Sequence, residues 1–289
     1  MRRRSQVVRQ RSAKPSSAGS IPAVASKFPV PRDFAFAATV ESHGWYRLAP
    51  FRWDGKVLRR KEALSEGIVE LEIAHRGNAL LVRGARESDE LKERLGRMFQ
   101  LHVDLSEFLA MTRASAAHAW VEPARFGRLL CGTTLWEDAV KIIATTNTMW
   151  SQTVRMVDLL VSKCGRDGAF PSPADVARFS AEELQRDCRL GYRAKSIRAL
   201  AEVDLDAIDD YLDLPGIGPY GAAHLRAMDG IHDDIAVDTE FRRFVRERYH
   251  RGRKVSDAIL LRRYAKWGRW KYLAYWSELV GPAQPAQRA

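Results

Sequence analysis

The chain has 289 residues, 46% of them hydrophobic, which is enough for one large domain or two modest ones with proper cores. No run of roughly 18 or more apolar residues occurs, so a helical membrane span is not expected. The net charge of +11 points to a polyanionic partner, although residues 1–27 supply seven basic side chains and no acid, leaving +4 for residues 28–289.

Residues 1–27 are rich in Arg, Ser, Ala and Pro and contain no aromatic residue. Such a segment cannot bury enough surface to fold alone and reads as a disordered basic tail. A DNA-tracking arm, an organelle transit peptide and an extended start are open alternatives; the missing apolar stretch argues against a secretory signal. Residues 28–104 read as a β-rich domain. Strands are expected at 34–40, 45–48, 68–73 and 79–83, with a turn at Asp54-Gly55. A helix from Glu87 to Phe99 places Leu91, Leu95 and Met98 on one stripe.

Residues 105–282 read as an all-helical body. Apolar spacing predicts helices at 135–146 and 150–163. Ser172 and Ser180, each followed three residues on by an acid, mark two helix starts. Further helices are expected at 194–202, 205–213, 220–229, 238–249, 255–266 and 269–281. Residues 283–289 form a flexible tail. The fold class is therefore α+β: a small antiparallel sheet module followed by helices. Cys131, Cys164 and Cys188 are widely spaced and follow no CxxC or Cys/His pattern, so they read as reduced thiols in a cytosolic protein.

One stretch carries chemistry. In Leu212-Asp-Leu-Pro-Gly-Ile-Gly-Pro-Tyr-Gly-Ala-Ala223, a helix end meets Pro215-Gly216, and Pro219 suits the first turn of a new helix. Gly216 and Gly218 permit positive φ and close backbone approach. Ile217 would plug the gap between the helices. The result is a hairpin with backbone amides at a helix N-terminus and no bulky side chain over them, a nest for phosphate that reads no sequence. A plain helical corner is the alternative. Downstream, Ile235-Ala-Val-Asp238 puts a lone acid behind an apolar triplet and ahead of an amphipathic helix. Asp238 is either an N-cap or a partly desolvated reactive carboxylate.

The segments LPGIGPYGAA and IAVDTEFRRF together resemble the helix-hairpin-helix (HhH-GPD) DNA glycosylase superfamily, which includes endonuclease III, 8-oxoguanine glycosylase and bacterial 3-methyladenine DNA glycosylase II. The likeness extends over roughly residues 30–282. It includes Leu129–Val140, Thr145-Thr-Asn147, Phe170-Pro-Ser172, Leu190–Lys195 and Gln100–Phe108. It implies a hydrolase that flips a damaged base from double-stranded DNA and breaks its N-glycosidic bond in base excision repair.

The resemblance assigns Asp238 as the catalytic acid. It assigns Leu214, Pro215, Gly216, Ile217, Gly218, Tyr220 and Gly221 to the backbone-gripping hairpin. Asn147, Gln152 and Tyr192 match residues that fill the flipped-out gap or wedge into the duplex. Alternatively, Asn147 caps the helix near Trp150 and Tyr192 is a half-buried turn aromatic. Bifunctional members carry a lysine where this chain has Tyr220, which implies a monofunctional enzyme unless Lys271 or another distant lysine reaches the sugar. His224 matches the position that faces the base, and Tyr275 and Lys271 fall at the stacking and recognising positions. Glu240 replaces a histidine that contacts phosphate in several members, so that contact is not expected.

No cysteine follows Cys188, so the iron–sulfur cluster of the endonuclease III branch is not expected. No other cofactor is implied, beyond a structural monovalent cation that the hairpin could hold. The Tyr264–Tyr272 stretch resembles the alkylation-repair branch, so alkylated purines are the expected substrate. The alternatives are 8-oxoguanine, with or without AP-lyase activity, and a non-catalytic hairpin protein that only binds DNA. A monomer without membrane association is expected, cytoplasmic and nucleoid-associated if bacterial.

Overall fold

The computed structural model describes residues 25–282. The expected tails, residues 1–24 and 283–289, lie outside this range. Lys27, expected in the tail, belongs instead to the first strand, whose backbone pairs with the sheet edge.

Among the described residues, five antiparallel strands form one sheet in the order β1-β5-β4-β3-β2. They are β1 (Ser26–Pro29), β2 (Arg52–Trp53), β3 (Leu58–Leu64), β4 (Gly67–Arg76) and β5 (Ala79–Arg83). Asp54-Gly55 turns β2 into β3, with the Asp54 carboxylate accepting from the amides of Lys56 and Val57 and Gly55 at φ +91°. Strand β3 alternates buried and half-buried residues, as a strand with one covered face must.

The strands expected at 34–40 and 45–48 are instead helical. Phe36–Val40 is α1 and Gly44–Arg47 a 3₁₀ turn. The physical reason is spacing: Phe36, Thr39 and Val40 are buried at helical intervals, and so are Trp45 and Leu48. The Thr39 hydroxyl also donates back to the Ala35 carbonyl.

Helix α2 (Asp89–Met98), capped by Ser88, puts Leu91, Leu95 and Met98 into the core. The helical body follows: α3 (Ser106–Thr112), α4 (Val121–Ala124), α5 (Leu135–Thr145), α6 (Trp150–Cys164), α7 (Pro173–Ala177), α8 (Ala181–Asp187) and α9 (Arg193–Leu200). After the hairpin come α10 (Pro219–Met228), α11 (Thr239–His250), α12 (Asp257–Arg262) and α13 (Lys271–Val280). Ser172 and Ser180 form full capping boxes with Asp175 and Glu183.

The helix expected at 205–213 is reduced to two 3₁₀ turns, Leu205–Ala207 and Tyr211–Asp213. Asp204 and Asp210 accept from the amides two residues on, which offers the backbone an alternative to helix. The helix expected at 255–266 likewise ends at Arg262 and gives way to a 3₁₀ stretch, Ala265–Trp270, kinked at Gly268.

Helix α5 joins the two halves. Its Glu137 takes the guanidinium of Arg60 from β3 at 2.9 Å and the ammonium of Lys141 at 2.6 Å, all of them buried. Glu62 adds a contact to Arg60 at 2.7 Å. Removing one member of such a buried group leaves an uncompensated charge and costs about 3–5 kcal/mol. The sheet is thereby locked onto the helices, which matters because the loop 42–45 reaches into the site.

Candidate active site

The hairpin starts from a buried anchor. Leu214 and Ile217 are both in the core, and the Ile217 amide donates to the Leu214 carbonyl at 3.0 Å. Gly216 sits at φ +81°, and a Cβ there would lie 2.5 Å from Cβ of Ser196 on α9. Gly221 faces Ile217 and Ile142 across gaps that a Cβ would fill at 3.1–3.2 Å. Gly218 is different: a Cβ there would meet nothing, because that side is open. As N-cap of α10 it has no side chain to satisfy the first-turn amides, and Pro219 follows at the first helical position. Open amides at a positive helix end can hold a phosphate oxygen.

Asp238 is the N-cap of α11, and its carboxylate accepts from the Phe241 amide at 2.6 Å. It is also half-buried beside Tyr220, Tyr272 and Tyr275, whose phenols its charge helps push up. Desolvation raises the Asp238 carboxyl above its ordinary value, against the lowering hydrogen bond from Phe241. A capping carboxylate and a desolvated one are therefore the same group. Tyr220 lies between the hairpin and Asp238, its hydroxyl bonded to Thr145.

Around His224 the structure gathers rings from three segments. His224 stands 5.9 Å from Tyr220, 5.7 Å from Trp45, 6.2 Å from His43 and 5.9 Å from Tyr272, ring centre to ring centre. Its Nδ1 hydrogen-bonds the Tyr272 hydroxyl at 3.3 Å. Trp276 stacks on Tyr272 and donates its indole N–H to the Ser42 carbonyl at 2.8 Å. His43 bonds the Leu130 carbonyl at 2.6 Å, and Trp45 donates to Asp138 at 2.9 Å. Burial pushes His43 down to about 3 and His224 to about 4, so both rings are neutral near pH 7.

Of the residues matched to stacking and recognition, Tyr275 lies beside Asp238 and Trp276. Tyr275 is buried against Phe241, at 5.0 Å, and against Tyr264, on the Asp238 side of α13. The Lys271 ammonium reaches the Asp233 carbonyl at 3.4 Å. On α13 the neighbour of His224 is Tyr272, on which Trp276 stacks. Glu240 pairs with Arg243.

Asn147, Gln152 and Tyr192 form an exposed rim. Asn147 holds φ +46° and its amide donates to the Tyr192 hydroxyl at 3.4 Å. It does not cap α6, whose N-cap is Met149. Tyr192 is 60% exposed, so it is not a half-buried turn residue, and the Arg193 guanidinium lies 4.7 Å over its ring. Arg193 also donates to the Thr146 carbonyl, which ties the rim together. Met149, 69% exposed, adds an apolar tip that sequence reasoning did not single out.

His43, Trp45, Tyr272 and Trp276 were also missed as site residues. Trp45 could have been suspected, since Ser42-His43-Gly44-Trp45 interrupts an apolar stretch with polar and ring side chains. Among the described residues, no group of His, Cys, Asp or Glu is arranged to hold a metal. The three cysteines are free and buried. No helix is long and apolar enough to cross a membrane among the described residues.

A glycine hairpin, a half-buried acid and exposed polar residues on a helical body are the features on which the sequence resemblance to helix-hairpin-helix DNA glycosylases rests. Residues 140–269 match the model of the HhH-GPD superfamily base excision DNA repair protein. Solved structures agree in fold. MBOgg1 in complex with a low-affinity DNA ligand aligns at TM-score 0.70 and 19% identity, covering 90% of this chain and 96% of that one. The 3-methyladenine DNA glycosylase from Archaeoglobus fulgidus gives 0.70 and 16%, covering 89% and 100%. The apo 8-oxoguanine glycosylase/lyase from Clostridium acetobutylicum gives 0.69 and 16%, covering 90% and 98%. No curated protein matches the chain.

Proposed function

We propose that this chain is a monofunctional DNA N-glycosylase that releases alkylated purines from double-stranded DNA. The observation that carries the reading is an uncharged ring cluster set next to the half-buried, desolvated carboxylate of Asp238. As a base departs, the sugar gains oxocarbenium character. A nearby carboxylate stabilises that charge and orients the attacking water. Asp238 meets both requirements. Tyr220 holds the place of the lysine of bifunctional enzymes and is not a nucleophile at neutral pH, because burial raises its phenol further. Lys271 is engaged with the Asp233 carbonyl.

The substrate class follows from charge. Alkylation at a ring nitrogen makes a purine electron-poor and often cationic. Such a base stacks well on aromatic faces, gains from cation–π attraction and is repelled by fixed cations. His43, Trp45, Tyr220, His224, Tyr272 and Trp276 offer such faces, with both histidines neutral. Among the named relatives of the fold, one is a 3-methyladenine glycosylase and one an 8-oxoguanine glycosylase/lyase.

The test is a base-release screen over duplexes carrying 3-methyladenine, hypoxanthine, 8-oxoguanine or uracil, with borohydride trapping on the same substrates. Release of the alkylated base without a trapped adduct is expected. A covalent adduct would overturn the monofunctional reading, and preferential release of 8-oxoguanine would overturn the substrate class.

A further inference from the structure

Positive charge is not spread over the folded body. Residues 242–266 hold ten basic side chains against two acidic ones, a balance of +8. Residues 28–289 as a whole carry only +4, so the remainder of that span is −4. The excess is also unpaired. Surface arginines elsewhere, such as Arg52, Arg113, Arg186 and Arg269, each meet a carboxylate. In this band Arg242 pairs with Asp257, and Arg243 with Glu240 and Glu247. Arg251, Arg253 and Lys254 are exposed and form no ion pair among the described residues. One or two cations in the last turn of α11 would satisfy its negative end. That need is met by Arg248, so the loop's three cations are surplus to it.

The band has a direction. Helix α11 starts at Asp238 and ends at His250. A surface groove lined by Thr239, Arg242, Arg243, Arg246, Glu247 and Gly252 runs along it to the loop; its one acid, Glu247, is paired with Arg243. The loop is pinned there by Arg246, whose guanidinium donates to the Val255 carbonyl at 3.2 Å. Twelve helical residues span about 18 Å, which is roughly five base pairs of duplex.

We propose that Arg251, Arg253 and Lys254 form a second contact on the DNA backbone, about five base pairs from the reacting nucleotide, in addition to the hairpin. This rests on the reading of the site as a DNA-processing one. The contact is with phosphates, because exposed, flexible cations without hydrogen-bonding acceptors supply affinity and register but no sequence choice. It would lengthen the footprint on one flank only, since the band lies on one side of Asp238.

The experiment compares full-length wild type with a combined Arg251→Asn, Arg253→Gln, Lys254→Gln variant. Asn is chosen at 251 because that residue holds φ +50°. Binding is measured by anisotropy over a salt series. The duplexes carry a tetrahydrofuran abasic analogue, and each flank is either roughly ten or roughly three base pairs long. On the long duplex the variant should bind about tenfold more weakly at low salt, and its log–log salt slope should be shallower by about 2–3. Trimming one particular flank should erase the difference, and trimming the other should not. Base release from short duplexes should be unchanged. Arg253→Glu with Lys254→Glu should act in the same direction and more strongly, and thermal melting of both variants should match wild type. Equal affinity and slope on every duplex would overturn the proposal, as would a difference that survives trimming of both flanks. If wild type binds no duplex at all, the glycosylase reading itself falls, a distinct outcome.

Discussion

The hairpin at 214–218 and the ring cluster around His224 both rest on α10, yet they are built in opposite ways. The hairpin is a contiguous run whose working groups are backbone amides. Its demands are for missing atoms: no Cβ at Gly216, where Ser196 stands, and none needed over the open face of Gly218. The cluster is assembled from residues 43–45, 220–224 and 272–276, and works entirely through side chains. Its demand is for missing charge, met by burial that keeps His43 and His224 neutral. On the proposed function, gripping DNA and choosing a base are therefore separable tasks, and Asp238, which lies beside Tyr220 and Tyr272 at the start of α11, belongs fully to neither.

The largest effect should come from cutting the link between them. Asp238→Asn keeps a good N-cap for the Phe241 amide but removes the charge. Single-turnover base release should fall by about 10³-fold or more, with duplex affinity and melting temperature nearly unchanged. Asp238→Ala should be equally inactive and also about 1 kcal/mol less stable, because it loses the cap as well. If Asn at 238 retained release, Asp238 would be a cap alone and the comparison would collapse to a grip without chemistry.

Next in size is the response to pH. His43, His224 and His232 have folded-state values of about 3, 4 and 3, all below the ordinary 6.5. Between those values and 6.5 the unfolded chain binds protons that the folded chain refuses, so stability is full above pH 6.5 and is lost as pH falls. Each histidine contributes up to about 1.4 kcal/mol per pH unit in that window. Urea midpoints should therefore drop steeply from pH 6.5 to 4.5, and His224→Phe should flatten the slope by roughly a third. The hairpin residues carry no group that titrates there. A midpoint that is flat over this range would show that the ring cluster is hydrated and open, not the dry surface that the substrate argument needs.

The same contrast explains what could be read from the chain before the fold was known. Gly216, Pro219 and Asp238 were legible because local backbone geometry is written in adjacent residues. The capping serines 172 and 180 were legible for the same reason. The ring cluster was not, because nothing local says that Trp45 will cross to α10; that depends on Asp138 and the Arg60–Glu137 lock between sheet and helices. The placement on α13, where Tyr272 meets His224 and Tyr275 meets Phe241, is likewise set by distant packing. The chain enters α13 through a 3₁₀ stretch kinked at Gly268, which sets how that helix meets α10 and α11. The helical reading of 205–213 failed on Asp204 and Asp210, whose side chains compete for the backbone.

The smallest effects separate the two regions most sharply, as a matched pair of substitutions. Gly216→Ala forces a side chain into positive φ and against Ser196, so the hairpin must shift. Affinity should fall by about tenfold for every duplex, damaged or not, because a backbone grip reads no base. The ratio of release rates between lesions should stay as it is. Tyr272→Phe removes only the hydroxyl that meets His224 Nδ1 at 3.3 Å. A buried hydrogen bond of this kind is worth about 1 kcal/mol, and the unpaired imidazole nitrogen it leaves behind costs about as much again. The change should act on the bound base alone: undamaged duplex should bind as before, while the ratio of 3-methyladenine to 8-oxoguanine release should shift by about fivefold. Crossed outcomes, with selectivity moved by Gly216→Ala or uniform affinity lost in Tyr272→Phe, would mean that the two regions move together through α10, so that grip and choice are one device.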